Sequence, residues 1–138
     1  MSDACPCGSG VREPACCGPV HAGAPAPTAL ALMRSRYAAY VRGEVDYLVA
    51  THDASTRGGL DRAAIEAWSR DTVWAGLEIV ATVGGGATDD TGTVEFIARG
   101  TTRGIPFAQH ELSRFRRVGG RWFYVDGAPR VRPATPKR

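Results

Sequence analysis

Residues 105–127 read IPFAQHELSRFRRVGGRWFYVDG, two runs rich in apolar side chains parted by Gly119 and Gly120. A two-glycine loop suits type I′ and II′ turns, whose central residues need positive φ. The stretch therefore reads as a β-hairpin, which commits its sheet to antiparallel pairing. Just upstream, GLEIVATV alternates Leu77, Ile79, Ala81 and Val83 against Glu78, Val80 and Thr82. GGGATDDTG follows as a turn and TVEFIARG as the next strand. Before residue 72 the period changes from two to helical. Thr28 is the N-cap of ALALMRSRYAAYVRG, in which Leu30, Met33, Tyr37, Tyr40 and Val41 recur at helical spacing and Gly43 is the stop. EVDYLVATH gives a short second helix carrying Tyr47 and Leu48. LDRAAIEAWSR gives a third, with Asp61 as N-cap and Ile65 and Trp68 on one face. Helices first and antiparallel strands after predict an α+β fold, its sheet curled around the helices. The lack of βαβ alternation excludes a doubly wound sheet.

The chain has 138 residues, 43% hydrophobic and 22% charged. A single domain of this size buries roughly two-thirds of its unfolded surface and needs no disulfide staples. No apolar run approaches the roughly 20 residues of a membrane span. The N-terminus has neither the basic nor the apolar region of a secretory signal. The expected compartment is the cytoplasm, where thiols stay reduced and grouped cysteines hold metal more often than they form disulfides. The net charge is +3, almost all of the positive side being arginine. It is dispersed apart from Arg114, Arg116, Arg117 and Arg121 and a tail bearing Arg130, Arg132, Lys137 and Arg138. No base-reading motif accompanies these charges, so sequence-specific nucleic-acid recognition is not expected.

The chain divides into a cysteine-bearing head (1–20), a Gly-, Ala- and Pro-rich linker (21–28), a folded body (29–128) and a flexible basic tail (129–138). All four cysteines, Cys5, Cys7, Cys16 and Cys17, lie in the head. Four thiolates can surround one Zn²⁺ tetrahedrally at about 2.3 Å. Gly8, Ser9 and Gly10 let the backbone turn sharply after the first pair, and Pro6 and Pro14 restrict the chain beside each pair. The head has too few aliphatic side chains to fold by burial. A structural zinc site supplies on the order of 10–16 kcal/mol of apparent binding free energy. Ordering ~15 residues costs a similar amount in backbone entropy. A disulfide pair and loose thiols in a disordered leader are the alternatives. Soft ligands also accept iron, and accessible thiolates answer oxidants. His21 is a spare donor that four sulfurs make unnecessary.

CPCGSG followed by CC resembles the SEC-C motif, the small zinc-binding element at the C-terminus of the translocation ATPase SecA. Further along, ALMRSRYAAYVRGEVDYLVATH, WAGLEI, GTVEFIAR and HELSRFRRVGGRWFYVDG are together similar to the bacterial YchJ-like family. The likeness runs from Cys5 to about Gly127. It implies a SEC-C motif ahead of a cone-shaped, nuclear-transport-factor-2-like (NTF2-like) body of helices packed into a curved antiparallel sheet. It also implies Cys5, Cys7, Cys16 and Cys17 as metal ligands. A second, C-terminal SEC-C motif is absent from this sequence. The family carries no established activity, so the resemblance speaks to fold and metal rather than to a reaction.

Chemistry in the body is sparse. His110 and Asp126, if they face one another across neighbouring strands, would form a general base with its orienting carboxylate, and Arg114 could join them. Alternation puts His110, Leu112 and Arg114 on one face and Glu111, Ser113 and Phe115 on the other. Which face lines the cone is left open. Against catalysis stand an Arg114–Glu95 ion pair on the solvent side, turn chemistry at Asp126-Gly127, and Trp68, Trp74, Trp122, Tyr37 and Tyr124 as core filler. Arg34 and Arg36 lie about 200° apart on one helix, so only one can face the core. Ion pairing with Glu44 or Asp46, or plain solvation, is expected for them. The first functional reading is a non-enzymatic module whose metal head, on its stalk, docks on a protein or ribosome partner. The alternative is a small-molecule-binding protein or enzyme that uses the cone.

Overall fold

In the computed structural model, which describes residues 4–129, a short 3-10 helix (Glu13–Ala15) and five α-helices precede four strands. The helices are α1 (Cys17–His21), α2 (Ala29–Arg42), α3 (Val45–Ala50), α4 (Ala54–Arg57) and α5 (Arg62–Asp71). The strands are β1 (Thr72–Gly84), β2 (Thr91–Thr102), β3 (Ile105–Val118) and β4 (Arg121–Pro129). They form one antiparallel sheet in the order β1-β2-β3-β4, as the hairpin reading requires. Gly119 and Gly120 both take positive φ, 59° and 81°, between Val118 and its partner Arg121.

α2 lies across the concave face. Thr28 Oγ1 accepts the amide of Ala31, which anchors the start, and Gly43 ends the helix in the left-handed region. Leu32, Met33 and Tyr37 of α2 share a core with Val94, Phe96, Ala98, Phe115 and Trp122 of the sheet. Asp61 caps α5 through the amide of Ala64. The second helix stops earlier than the sequence suggests. Thr51 is its C-cap, and residues 51–53 instead run beside β4, with Tyr124 N donating to Thr51 O and Asp53 N to Tyr124 O. That pairing seats His52 and Asp53, and Asp53 in turn caps the unforeseen single turn α4.

β1 departs from simple alternation. Register shifts occur between Trp74 and Gly76 and between Ile79 and Ala81. Leu77 and Ile79 pair with Ala98 and Phe96 and pack on the core, but Ala81 and Val83 face outward beside Glu95 and Thr93. A bulge adds one residue and turns every later side chain to the opposite face.

The linker is not a stalk. α1 ends at its first residue, His21, Ala26 is buried in the main core, Arg121 donates to Gly23 O, and Ala29 N, just past its end, donates to Gly85 O. The expectation of a head and body gripping separate surfaces through an extended spacer is therefore corrected: apolar burial of Ala26 and these backbone bonds hold the segment down. The basic tail from residue 130 lies outside the described residues. No helix among the described residues is long and apolar enough to cross a membrane.

Candidate metal centre and cone cavity

The head folds as a small knuckle. Cys5 N donates to Val11 O, Gly8 N to Cys5 O, and Ala4 bridges Arg12. Gly8 and Gly10 both have φ of 83°, a conformation that L side chains rarely adopt. This tight turn brings the two cysteine pairs together, and the four Sγ atoms all lie within 4.8 Å of one another. Cys7 and Cys16 are 3.6 Å apart and Cys16 and Cys17 3.9 Å. Thiolates arranged tetrahedrally at 2.3 Å from zinc stand about 3.8 Å apart, whereas a disulfide needs about 2.05 Å. All four are free thiols, and the donor set fits a metal ion in size and in softness. Ser9 Oγ sits 3.1 Å from Cys16 Sγ as a polar neighbour of the cluster. Burial raises the pKa of the Cys5 thiol, and hydrogen bonding to Cys7 raises that of Cys17. The same bond, with help from Ser9, lowers that of Cys7. Crowded thiols thus share protons that a cation would replace.

The knuckle is pressed against α2. Cys5, Cys7 and Cys17 are buried around Ala38, which is itself fully buried, and Arg34 Nη1 donates to Cys7 O at 2.9 Å. His21 is engaged elsewhere. Its Nε2 meets Ser35 O at 2.7 Å and its ring packs on Tyr47, so it stands apart from the sulfur cluster.

A second feature lies inside the cone, a cavity of about 220 Å³ between α2, α5 and the concave face. Tyr40, Trp68 and Trp74 form one wall, their rings 5.0–5.6 Å apart. The opposite end is polar, with Arg36, Gln109, Glu111, Ser113 and Tyr124. The Glu111 carboxylate accepts from Gln109 Nε2 at 2.7 Å, Ser113 Oγ at 2.6 Å and Tyr124 OH at 3.1 Å. Gly127, facing Ser113 on β4, leaves room for it: a Cβ there would run into the Glu111 carboxyl group. Burial, then the Glu111 charge, raises the pKa of the Tyr124 phenol, which keeps it a neutral donor.

Arg36 is 7% exposed. Its Nη1 donates to Leu48 O at 2.9 Å and Thr51 Oγ1 at 2.7 Å, and its guanidinium lies 4.6 Å over the Tyr124 ring. Among the described residues no carboxylate pairs with it, and burial lowers its pKa. His52 Nδ1 and Trp74 Nε1, on residues lining the same cavity, are buried without a partner. Burial, then Arg36 and Arg57, lowers the His52 pKa.

Residues 28–127 match the model for the middle NTF2-like domain of YchJ. The chain belongs to the YchJ-like family. It is 44% identical over 128 residues to the UPF0225 protein GSU1048 of Geobacter sulfurreducens, covering 92% of this chain and 80% of that one. The solution structure of RPA3114, a SEC-C motif containing protein from Rhodopseudomonas palustris, superposes with a TM-score of 0.81 at 38% identity. That match covers 93% of this chain and 98% of the other. The crystal structure of a SEC-C motif containing protein from Psychrobacter arcticus gives 0.76 at 30% identity, covering 96% and 85%. The α+β architecture, an NTF2-like body behind a SEC-C head, is thereby established.

In this YchJ-like chain the suggested dyad does not assemble. His110 is on the outer face, where its Nε2 meets Glu95 Oε2 at 2.7 Å. Asp126 takes Arg114, whose Nε donates to Oδ1 at 2.6 Å. None of the three lines the cavity, and Arg114 meets Asp126 rather than Glu95. The other face of β3 is the inner one. Arg34 and Arg36 do part as the helical angle demands, the first to the head and the second to the cone. Asp46 pairs with Arg62 instead of either. Trp122 is core alone, whereas Tyr37, also buried in the core, lines the cavity together with Trp68, Trp74 and Tyr124. Sequence reasoning missed the cavity roles of Arg36, His52, Glu111 and Gly127. One signal could have found Glu111: its face of β3 carries Phe107 and Phe115, while the opposite face carries Arg114 and Arg116.

Proposed function

We propose that this is a zinc-stabilised small-molecule-binding protein, with the cone cavity as receptor and the metal head as a structural brace. The observation that carries the reading is the cavity's makeup, an aromatic wall and a polar end whose Arg36 has donors left unpaired among the described residues. Buried donors are nearly always satisfied, so an unused guanidinium edge beside a space of this size calls for an occupant that accepts from it. The closed set of four sulfurs, three of them buried, suits a structural metal, which we read as zinc. A binding role is favoured over catalysis because Glu111, the only carboxylate among the described lining residues, is held by three donors.

A test is fragment screening by NMR on metal-loaded full-length protein. Shifts should converge on Met33, Trp74 and Tyr124. Hits confined to the outer face of the sheet, or none, would sink the cavity reading.

A further inference from the structure

Building on the cavity reading, we propose that the ligand is a small aromatic carboxylate, its acid group held by the free Nε/Nη2 edge of Arg36. Arg36 carries five N–H donors in a flat fork. The Nη1 pair is spent on Leu48 O and Thr51 Oγ1, which also fixes the side chain at the end of α3. The Nε and Nη2 donors have no acceptor among the described residues, although the side chain is buried and lines the cavity. Glu111 acts on Arg36 only through space, with no hydrogen bond between them, and the open edge is the one that grips a carboxylate in two parallel bonds.

The remaining lining fits the same class of ligand. Trp68 and Trp74 offer faces and edges for ring packing. An apolar cavity of about 150 Å³ holds benzene. A volume of about 220 Å³ thus takes a ring with its acid group and little more. Glu111 lines the same space and opposes an anion. Its three donors occupy most of its acceptor sites. The acid must therefore lie at the Arg36 end, and a ring hydroxyl or amino group can donate to the site that Glu111 has left.

The experiment titrates benzoate, the three hydroxybenzoates and their matching benzamides into the metal-loaded full chain, reading affinity by calorimetry. At least one acid should bind tenfold or more tighter than its amide. Arg36→Lys, which keeps the charge but loses the fork, should erase that preference, and Trp74→Phe should weaken the acid several-fold. The acid–amide comparison needs only the unmodified protein, so it stands even if Arg36→Lys fails to fold. Equal binding of acids and amides would overturn the carboxylate assignment while leaving the cavity as a receptor. No binding of either class, with toluene also excluded, would overturn both.

Discussion

At the scale of single residues, the most buried ion-paired carboxylate among the described residues is Asp53. Asp53 is 2% exposed, and Arg116 grips it from β3 with Nε at 2.7 Å and Nη2 at 3.0 Å. Arg116, then the Ser55 hydroxyl and amide, hold the Asp53 carboxyl at about 2 against an ordinary 3.8. A carboxylate depressed on folding binds fewer protons in the native state, so its stabilisation is whole above pH 3.8 and disappears as pH falls through about 2. Its size is about 1–2 kcal/mol, discounted because Arg116 is half-exposed. Asp53→Asn, which can still cap α4, should lose that amount at pH 7 and almost nothing at pH 2. Urea unfolding at the two pH values measures it, and an equal loss at both would show that the charge is not what matters. Neither partner signals the other in sequence, because they lie 63 positions apart. His52 and Asp53 read as a helix end, and only the pairing with β4 makes one a cavity residue and the other an anchor.

At the scale of elements, caps and turns were legible because they are local chemistry. Thr28, Gly43, Asp61 and the Gly119-Gly120 turn all act within about four residues of themselves. Strand faces were legible only in part. The alternation of β3 was read correctly, yet its inner side could not be chosen without the sheet's curvature. In β1 the bulge after Ile79 sent Ala81 and Val83 outward, and nothing in GLEIVATV announces it. Gly127 shows the same limit in β4, since as part of Asp-Gly it reads as a turn. In the strand it faces Ser113, and its missing side chain is the space that the Glu111 carboxyl group fills. Gly127→Ala should therefore displace Glu111 and lower stability by about 1–3 kcal/mol, the usual range for overpacking. Thermal melting checks the loss, and loss of the Tyr124–Glu111 hydrogen bond in the variant's NMR spectrum checks the cause. A variant as stable as the parent, with that bond intact, would mean that β4 yields easily at this point.

At the scale of the whole molecule, the head is a metal-sized knuckle laid on the back of the helix that builds the cavity. α2 has two working faces: Met33, Arg36, Tyr37 and Tyr40 line the cone, and Arg34 and Ala38 meet the knuckle. The cysteine grouping was plain in sequence, but its docking was not, because Ala38 looks like any small helical residue until something covers it. The knuckle has no aliphatic core, so its order should depend on the cation, for which structural zinc provides on the order of 10–16 kcal/mol. The cone has its own core in Leu32, Tyr37, Phe96, Phe115 and Trp122 and should outlast the metal. Full-length protein isolated without added metal should carry one equivalent of zinc. A strong chelator should then release the Cys5 and Gly8 amides to fast hydrogen exchange while those of β2 and β3 stay protected. Uncovering Ala38 should also lower the melting temperature of the cone by several degrees, the shift expected from about 1 kcal/mol in a domain of this size. Cys16→Ser should reproduce both effects without chelator. If the knuckle amides stay protected in metal-free protein, contacts with α2 alone fold the head and the brace is not a metal one. If the whole sheet loses protection at once, head and cone are a single cooperative unit, and ligand binding in the cavity would then depend on zinc as well.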